Sequence, residues 1–328
     1  MILTYVERYK MSNFVKFGSI DQLRNFVKDM KYHGKEVVNL TGTVKIHGTN
    51  AAIGYDIQTK ELFVQSRNNI ITVEKDNAGF AMYVEQNKQF FKEHFEHLVK
   101  DLNADDYKSI ILYGEWAGGN IQKGVAICEV EKFFAPFELK YVKHDDSYNL
   151  GNVSDFYNSE IRCFPVTVFQ KYHVKLDLNN VEEAQQQIVD LTLKVEECCP
   201  VGEFFGIKGV GEGVVFTDES GYHKFKSKGE KHSVSKVKTI APVDVEKVTK
   251  VKDFVEYAVT ENRLNQGLDY FKEMHLEVDA KNTAQFIKWV TSDVYKEELD
   301  TVIANDLDWK AVAKSVANKA RQWFMTKC

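Results

Sequence analysis

The chain has 328 residues, of which 44% are apolar and 28% charged, and its net charge is −5. That length allows two domains and a sizeable buried core, and the composition excludes a disordered or fibrous chain. No apolar run reaches the roughly 20 residues of a membrane span, the opening stretch MILTYVERYKMSN carries charges where a signal peptide is apolar, and five cysteines without a CxxC spacing point to reduced thiols rather than disulfides or zinc ligands.

Along the chain, a helical stretch is expected over 19–31, followed by β-rich runs at 36–44, 51–55 and 62–66, the last two turning at Gln58-Thr59-Lys60. A helical stretch over 79–100 leads to strands at 109–113 and 133–139. A helix over 181–197 leads to strands at 213–217 and 222–226, which turn at Glu219-Ser220-Gly221. After residue 250 the pattern is helical throughout. Phe254, Ala258, Leu264, Leu268 and Phe271 mark a helix pair, and Phe286, Val290 and Val294 mark another helix. Trp309, Val312, Val316, Ala320 and Trp323 then share one face of a last helix, with Asp308 placed to cap its start. That aromatic stripe reads as core. The expected architecture is an α+β domain over 1–245 and a small all-helical domain over 246–328. Although the total charge is negative, residues 223–238 hold six lysines and one acid, Glu230, so a basic face remains available for an anionic partner.

Four segments carry candidate chemistry. The first is Lys45-Ile46-His47-Gly48-Thr49-Asn50, between two β-like runs. Gly48 allows a tight turn and a close backbone approach to a ligand. A lysine at such a strand end is a nucleophile only when neutral, and deprotonating an ordinary lysine at pH 7 costs roughly 4.6 kcal/mol, so nearby cations, a metal or desolvation must lower its pKa. Alone, a lysine in a glycine turn is an ordinary surface feature. The second segment, Tyr113-Gly114-Glu115-Trp116-Ala117-Gly118-Gly119-Asn120, delivers Glu115 into a glycine-rich turn, where it can accept hydrogen bonds from ribose hydroxyls. The third places Glu212 just before an apolar strand, a candidate ligand for Mg²⁺, which takes oxygen donors and needs only one or two carboxylates. In the fourth, His223-Lys224-Phe225-Lys226, strand alternation sets Lys224 and Lys226 on one face, where they can bind a polyphosphate and depress the pKa of Lys45.

The identity and order of these segments resemble the covalent nucleotidyltransferase superfamily of ligases and capping enzymes. The run Lys45–Asn50 is similar to the KxHGTN nucleotidyl motif of the RNA ligase 2 family, with His47 standing where DNA ligases and capping enzymes usually carry aspartate. The resemblance covers roughly 35–240 and implies an adenylyltransferase domain of antiparallel sheets with flanking helices. It implies that Lys45 carries AMP, with Ile46 and His47 beside it in the nucleotide site. Arg67 matches a catalytic arginine, Glu115 the ribose-holding glutamate, Phe137 the aromatic that stacks on adenine, and Glu212 the metal-associated carboxylate. Lys224 and Lys226 match the paired phosphate-binding lysines, and Thr49 and Asn50 match residues at the RNA end, Asn50 also in the nucleotide site.

The implied activity is ATP-dependent sealing of RNA with 3′-OH and 5′-phosphate ends, at nicks in duplex RNA, through lysyl-AMP and an adenylylated 5′-end. ATP and Mg²⁺ (or Mn²⁺) are the implied cofactors. The expected protein is a cytoplasmic monomer (in the host cytoplasm if phage-encoded) without a membrane partner. A DNA ligase or an mRNA capping enzyme would append a many-stranded OB barrel, against which the helical pattern after residue 250 argues. A non-catalytic RNA-binding relative would have lost one of Lys45, Glu115, Glu212, Lys224 or Lys226, and all five are present.

Overall fold

The computed structural model describes residues 14–18, 20–76, 78–229 and 251–328. Its strands form two antiparallel sheets. The first has the order β10–β9–β1–β8, made of β1 (Val37–Val44), β8 (Lys171–Asp177), β9 (Gly213–Thr217) and β10 (Lys224–Lys228). The second has the order β4–β3–β2–β5–β6–β7, made of β2 (Thr49–Asp56), β3 (Glu61–Ser66), β4 (Ile70–Ile71), β5 (Tyr107–Ala117), β6 (Phe133–Lys143) and β7 (Tyr148–Gly151). Four residues, Lys45 to Gly48, carry the chain from β1 in the first sheet to β2 in the second. The lysine motif is therefore the crossing point between the sheets.

Alternation decides which way Lys45 faces. Val38, Leu40, Gly42 and Val44 of β1 are buried, so Thr41, Thr43 and next Lys45 take the opposite face. The buried face packs on α1 (Leu23–Tyr32) and α4 (Glu182–Glu197), in a core that includes Phe26, Leu40, Leu176, Ile188, Phe216 and Phe225. Helix α1 contributes Leu23, Phe26 and Met30 from one stripe. A second core forms where α2 (Phe80–Gln86) and α3 (Lys88–Lys100) cover the other sheet through Phe80, Phe91, Phe95, Ile110 and Leu112. Each such side chain contributes roughly 1.5–3 kcal/mol on burial.

The helix expected over 79–100 is two helices, because Asn87 leaves the helical region (φ −114°) and its side chain bonds back to Tyr83 O at 2.8 Å. Strands β4, β7 and β8 carry no expectation above, β5 runs two residues further at its start and four at its end, and β6 runs four residues further at its end. In β8 only Val174 and Leu176 are buried, so its apolar signal is weak. A short helix, α5 (Pro200–Phe204), follows α4. Cys128, Cys163, Cys198, Cys199 and Cys328 are free thiols.

The C-terminal region is helical, comprising α6 (Val251–Ala258), α7 (Glu261–Glu273), α8 (Thr283–Ala304) and α9 (Trp309–Met325). Asp308 caps α9 by accepting from Lys310 N and Ala311 N. The core face of α9 is Val312, Val316, Ala320 and Phe324, while Trp309 and Trp323 lie partly buried at its flanks. The expected boundary at 245 and the lysines of the basic run beyond 229 lie outside the described residues. At the centre of the helical core, Arg263 is fully buried. Its Nε donates to Asp293 at 2.8 Å, its Nη2 lies 3.4 Å from Glu298, and its Nη1 donates to Ala258 O. Removing one partner from a buried ion network strands the other charges. Arg263→Ala is therefore expected to lower unfolding free energy by about 3 kcal/mol or more, measured by urea titration of tryptophan fluorescence. A change below about 0.5 kcal/mol, typical of a surface site, would contradict this account of the network.

Candidate active site

One cleft runs between the two sheets and under the helical region, with a cavity volume of about 1530 Å³. Its walls include Lys45, Ile46, His47, Thr49, Asn50, Arg67, Glu115, Phe137, Glu212, Lys224 and Lys226. Residues separated by up to 181 positions thus share one concavity.

The centre is Glu212, which is only 2% exposed. Lys45 Nζ lies 2.6 Å and His47 Nδ1 3.1 Å from one of its carboxylate oxygens. Lys228 Nζ lies 2.8 Å from the other. Sheet register causes this. Lys45 N donates to Gly213 O at 2.8 Å on one side of β9, and Lys228 pairs with Gly213 on the other. Gly213 is in the positive-φ region (149°), and a side chain there would collide with Ser227 O of β10. Two lysines thus sit in one row across the sheet with the Glu212 carboxylate between them.

Lys228 is the residue that the sequence reading missed, and it corrects the role given to Lys224. The signal was present, since strand alternation puts Lys224, Lys226 and Lys228 on one face. Lys228 occupies the row of Lys45, whereas Lys226 pairs with Val215 and Lys224 with Thr217. At about 3.4 Å per residue, Lys224 begins roughly 13 Å further along the strand. There it binds Glu138 at 2.5 Å and also donates to Gly221 O. Lys226 binds Glu297 of α8 at 2.7 Å. The cation that acts on Lys45 is therefore Lys228.

Charge is divided unequally in this row. Burial disfavours a charged Glu212, but Lys228, Lys45 and His47 outweigh it and hold the carboxyl well below its ordinary range. Burial also disfavours a charged Lys228, yet the Glu212 carboxylate overrides it and raises the lysine above its usual value. For Lys45, burial and the neighbouring Lys228 prevail over Glu212, and its pKa is lowered. One carboxylate keeps one lysine charged and leaves the other easier to deprotonate.

The remaining candidates are placed by β2, β3, β5 and β6. Glu115 of β5 lies opposite Asn50 of β2 and accepts from Gly48 N at 3.1 Å. Gly48 has no room for a side chain, which would strike Trp116 O. Arg67 follows β3 in the turn closed by Ser66 N donating to Asn69 O at 2.8 Å. Phe137 is the extra residue of a β-bulge: Tyr113 pairs with Glu138 and Gly114 with Pro136, leaving Phe137 unmatched. A bulge re-aims its side chain and tolerates the missing N–H of Pro136, so the proline is compatible with a cleft-facing aromatic. Behind Phe137, buried Glu138 also meets Lys140 at 3.2 Å, whose Nζ lies 3.9 Å from the Tyr148 ring centre.

Among the described residues no group of three or more His, Cys, Asp or Glu side chains is arranged to hold a metal alone. Glu212 and Glu115 offer oxygen donors in a cleft lined with lysines. That set suits Mg²⁺ shared with a bound phosphate, since this ion binds through one or two carboxylates and substrate oxygens. No helix among the described residues is long and apolar enough to cross a membrane.

The chain belongs to the RNA ligase family, whose model matches residues 39–238. It is also similar in structure to an RNA ligase of Naegleria gruberi. An apo lysine-to-alanine mutant of that ligase gives a TM-score of 0.46 at 18% identity, covering 67% of this chain and 57% of that one. The ligase with pyrophosphate gives the same values, and a lysine-to-methionine mutant with AMP and Mn gives 0.45 at 17% identity with the same coverage. The alignments thus take in 57% of the length of these relatives. No curated protein matches the sequence.

Burial lifts the carboxyl of Glu115 to about 7, against the opposing pull of Lys45. A raised carboxyl stabilises the fold below its unfolded value of 4.5, and the benefit is lost as pH rises through about 7. Glu115 is partly exposed, which reduces the effect to roughly 1–3 kcal/mol. Relative to Glu115→Gln, the ligand-free protein is therefore expected to lose about that much stability between pH 4.5 and 8 in urea titrations. Parallel pH curves for the two proteins would contradict it.

Proposed function

We propose that the chain is an ATP-dependent RNA ligase that seals 3′-OH to 5′-phosphate ends, with Lys45 as the carrier of AMP. The observation that carries this reading is the row Lys45–Glu212–Lys228, a lysine of lowered pKa held at 2.6 Å from a buried carboxylate. An ordinary surface lysine needs neither the carboxylate nor the second cation.

In the first step neutral Lys45 Nζ attacks the α-phosphorus of ATP. A P–N bond forms, the bond to the β-phosphate oxygen breaks, and pyrophosphate leaves. In the second step an oxygen of the RNA 5′-phosphate attacks that phosphorus and the P–N bond breaks, returning the amine. In the third, the 3′-OH attacks the activated 5′-phosphate and AMP leaves. Every step is a displacement at phosphorus, so positioning and neutralised charge supply most of the catalysis. Lys226, Lys228 and Arg67 supply fixed positive charge to the phosphates. Phe137 stacks on adenine, Glu115 receives the ribose hydroxyls, His47 helps fix Glu212, and Thr49 and Asn50 lie at the RNA end. Lys224, tied to Glu138, contributes charge at the far end of the strand. Glu212 would hold Mg²⁺, which would supply Lewis-acid charge neutralisation.

The preferred substrate is a nick in duplex RNA, where recognition rests on A-form shape, phosphates and 2′-OH groups rather than on base sequence. Family membership over residues 39–238 supports RNA rather than DNA or a cap as the substrate class.

Incubation with ATP and Mg²⁺ is expected to add one AMP to the protein by mass spectrometry, and Lys45→Ala to abolish the adduct. An AMP adduct that persists in Lys45→Ala would overturn the assignment. Lys228→Met is expected to slow adduct formation by about 10-fold or more at pH 7, because the Glu212 carboxylate then acts on Lys45 alone and favours its charged form. An unchanged rate would remove Lys228 from the mechanism.

A further inference from the structure

The helical region lays acidic side chains on the cations of the cleft. Glu297 of α8 lies 2.7 Å from Lys226 Nζ, and its other oxygen receives Gln22 Nε2 at 3.3 Å and faces Arg263 Nη2 at 3.5 Å. Arg24 of α1 clasps the same turn, donating through Nη1 to Thr301 Oγ1 at 2.9 Å and through Nη2 to Glu297 O. Glu297 and Asp293 also act electrostatically on Lys228. At the opposite wall, Glu273 at the end of α7 lines the cleft together with Arg67 and Lys16, and Met274 Sδ beside it receives Asn69 Nδ2 at 3.5 Å.

These acids come from two helices and meet cations from two sheets, and those cations are the ones a nucleoside triphosphate would use. We propose that the helical region inhibits nucleotide binding by placing the carboxylates of Glu297 and Glu273 where nucleotide phosphates bind. The proposal rests on the ligase reading for the identity of the nucleotide. Its physical basis is competition: Lys226 cannot pair fully with Glu297 and with a phosphate at once, so binding a triphosphate must break the Glu297 contact.

The clasp is suited to opening. Glu297 keeps 17% of its side-chain surface exposed, so water can replace Lys226. One oxygen of Glu273 is buried without a hydrogen-bond partner among the described residues, and such a group disfavours the closed state. A polyphosphate offers Lys226 and Arg67 more charge than one carboxylate each, and so shifts the balance toward opening.

The test is calorimetric titration of the full chain with tripolyphosphate, without metal, for wild type, Glu297→Gln and Arg24→Ala. Arg24 lies outside the phosphate-binding set and loosens the clasp from the α1 side. Both variants are expected to bind tripolyphosphate about five-fold more tightly than wild type, the scale of one partly exposed ion pair. Equal or weaker binding by folded variants overturns the proposal, because an acid that merely holds the fold would lower thermal stability without raising phosphate affinity. Should Glu297→Gln fail to fold, Arg24→Ala decides the matter. AMP uptake is read separately: a wild-type protein that binds tripolyphosphate but forms no AMP adduct overturns the ligase reading, while the comparison among variants still decides the clasp.

Discussion

A buried carboxylate shared by two lysines is the constraint on which the rest of the site depends. Glu212 is almost fully removed from water and both its oxygens are engaged by cations. An unpaired charge in that position would be costly, so the arrangement needs a cation on each side. The antiparallel register supplies them, because Gly213 has Lys45 on one neighbouring strand and Lys228 on the other. Since one carboxylate cannot satisfy two ammonium groups equally, the row holds Lys228 charged and makes Lys45 the easier of the two to deprotonate. Two lysines of unlike basicity arise in this way two strands apart.

The sheets then bring other groups to that row. The four-residue crossing from β1 to β2 fixes Gly48 against Trp116 O, and this draws Glu115 onto the Gly48 amide. The bulge at Phe137 turns an aromatic out of β6 toward the same cleft. The helical region closes the remaining side with carboxylates, and Glu297 neutralises Lys226 of the cleft from there. Cations gathered in one cleft repel one another at short range, and the carboxylate of Glu297 relieves that repulsion at Lys226.

Local features of this arrangement were legible in the residues. The β-rich runs at 36–44 and 213–217 and the turns at 58–60 and 219–221 marked the strands around the site, and KxHGTN marked the crossing. The spacing of Trp309, Val312, Val316, Ala320 and Trp323 along one helical face, with Asp308 before it, marked the last helix. Lys228 was legible by the same alternation that selected Lys224 and Lys226, but choosing which lysine meets Lys45 requires the register of β10 on β9, and register depends on non-local pairing. Strand β8 buries only two apolar side chains, too few to stand out. The contacts of the helical region with the cleft walls join residues more than 200 positions apart in Gln22–Glu297 and Asn69–Met274. No pattern within a single helix announces what its acidic face will touch.

Lys45 and Lys228 both touch Glu212 from within one cleft, so the account stands on the claim that only one of them is the nucleophile. Peptide mapping of the wild-type protein after incubation with ATP and Mg²⁺ tests this directly. AMP is predicted on the peptide that contains Lys45, with none on the peptide that contains Lys228. AMP on Lys228, or on any residue outside the cleft, would contradict it.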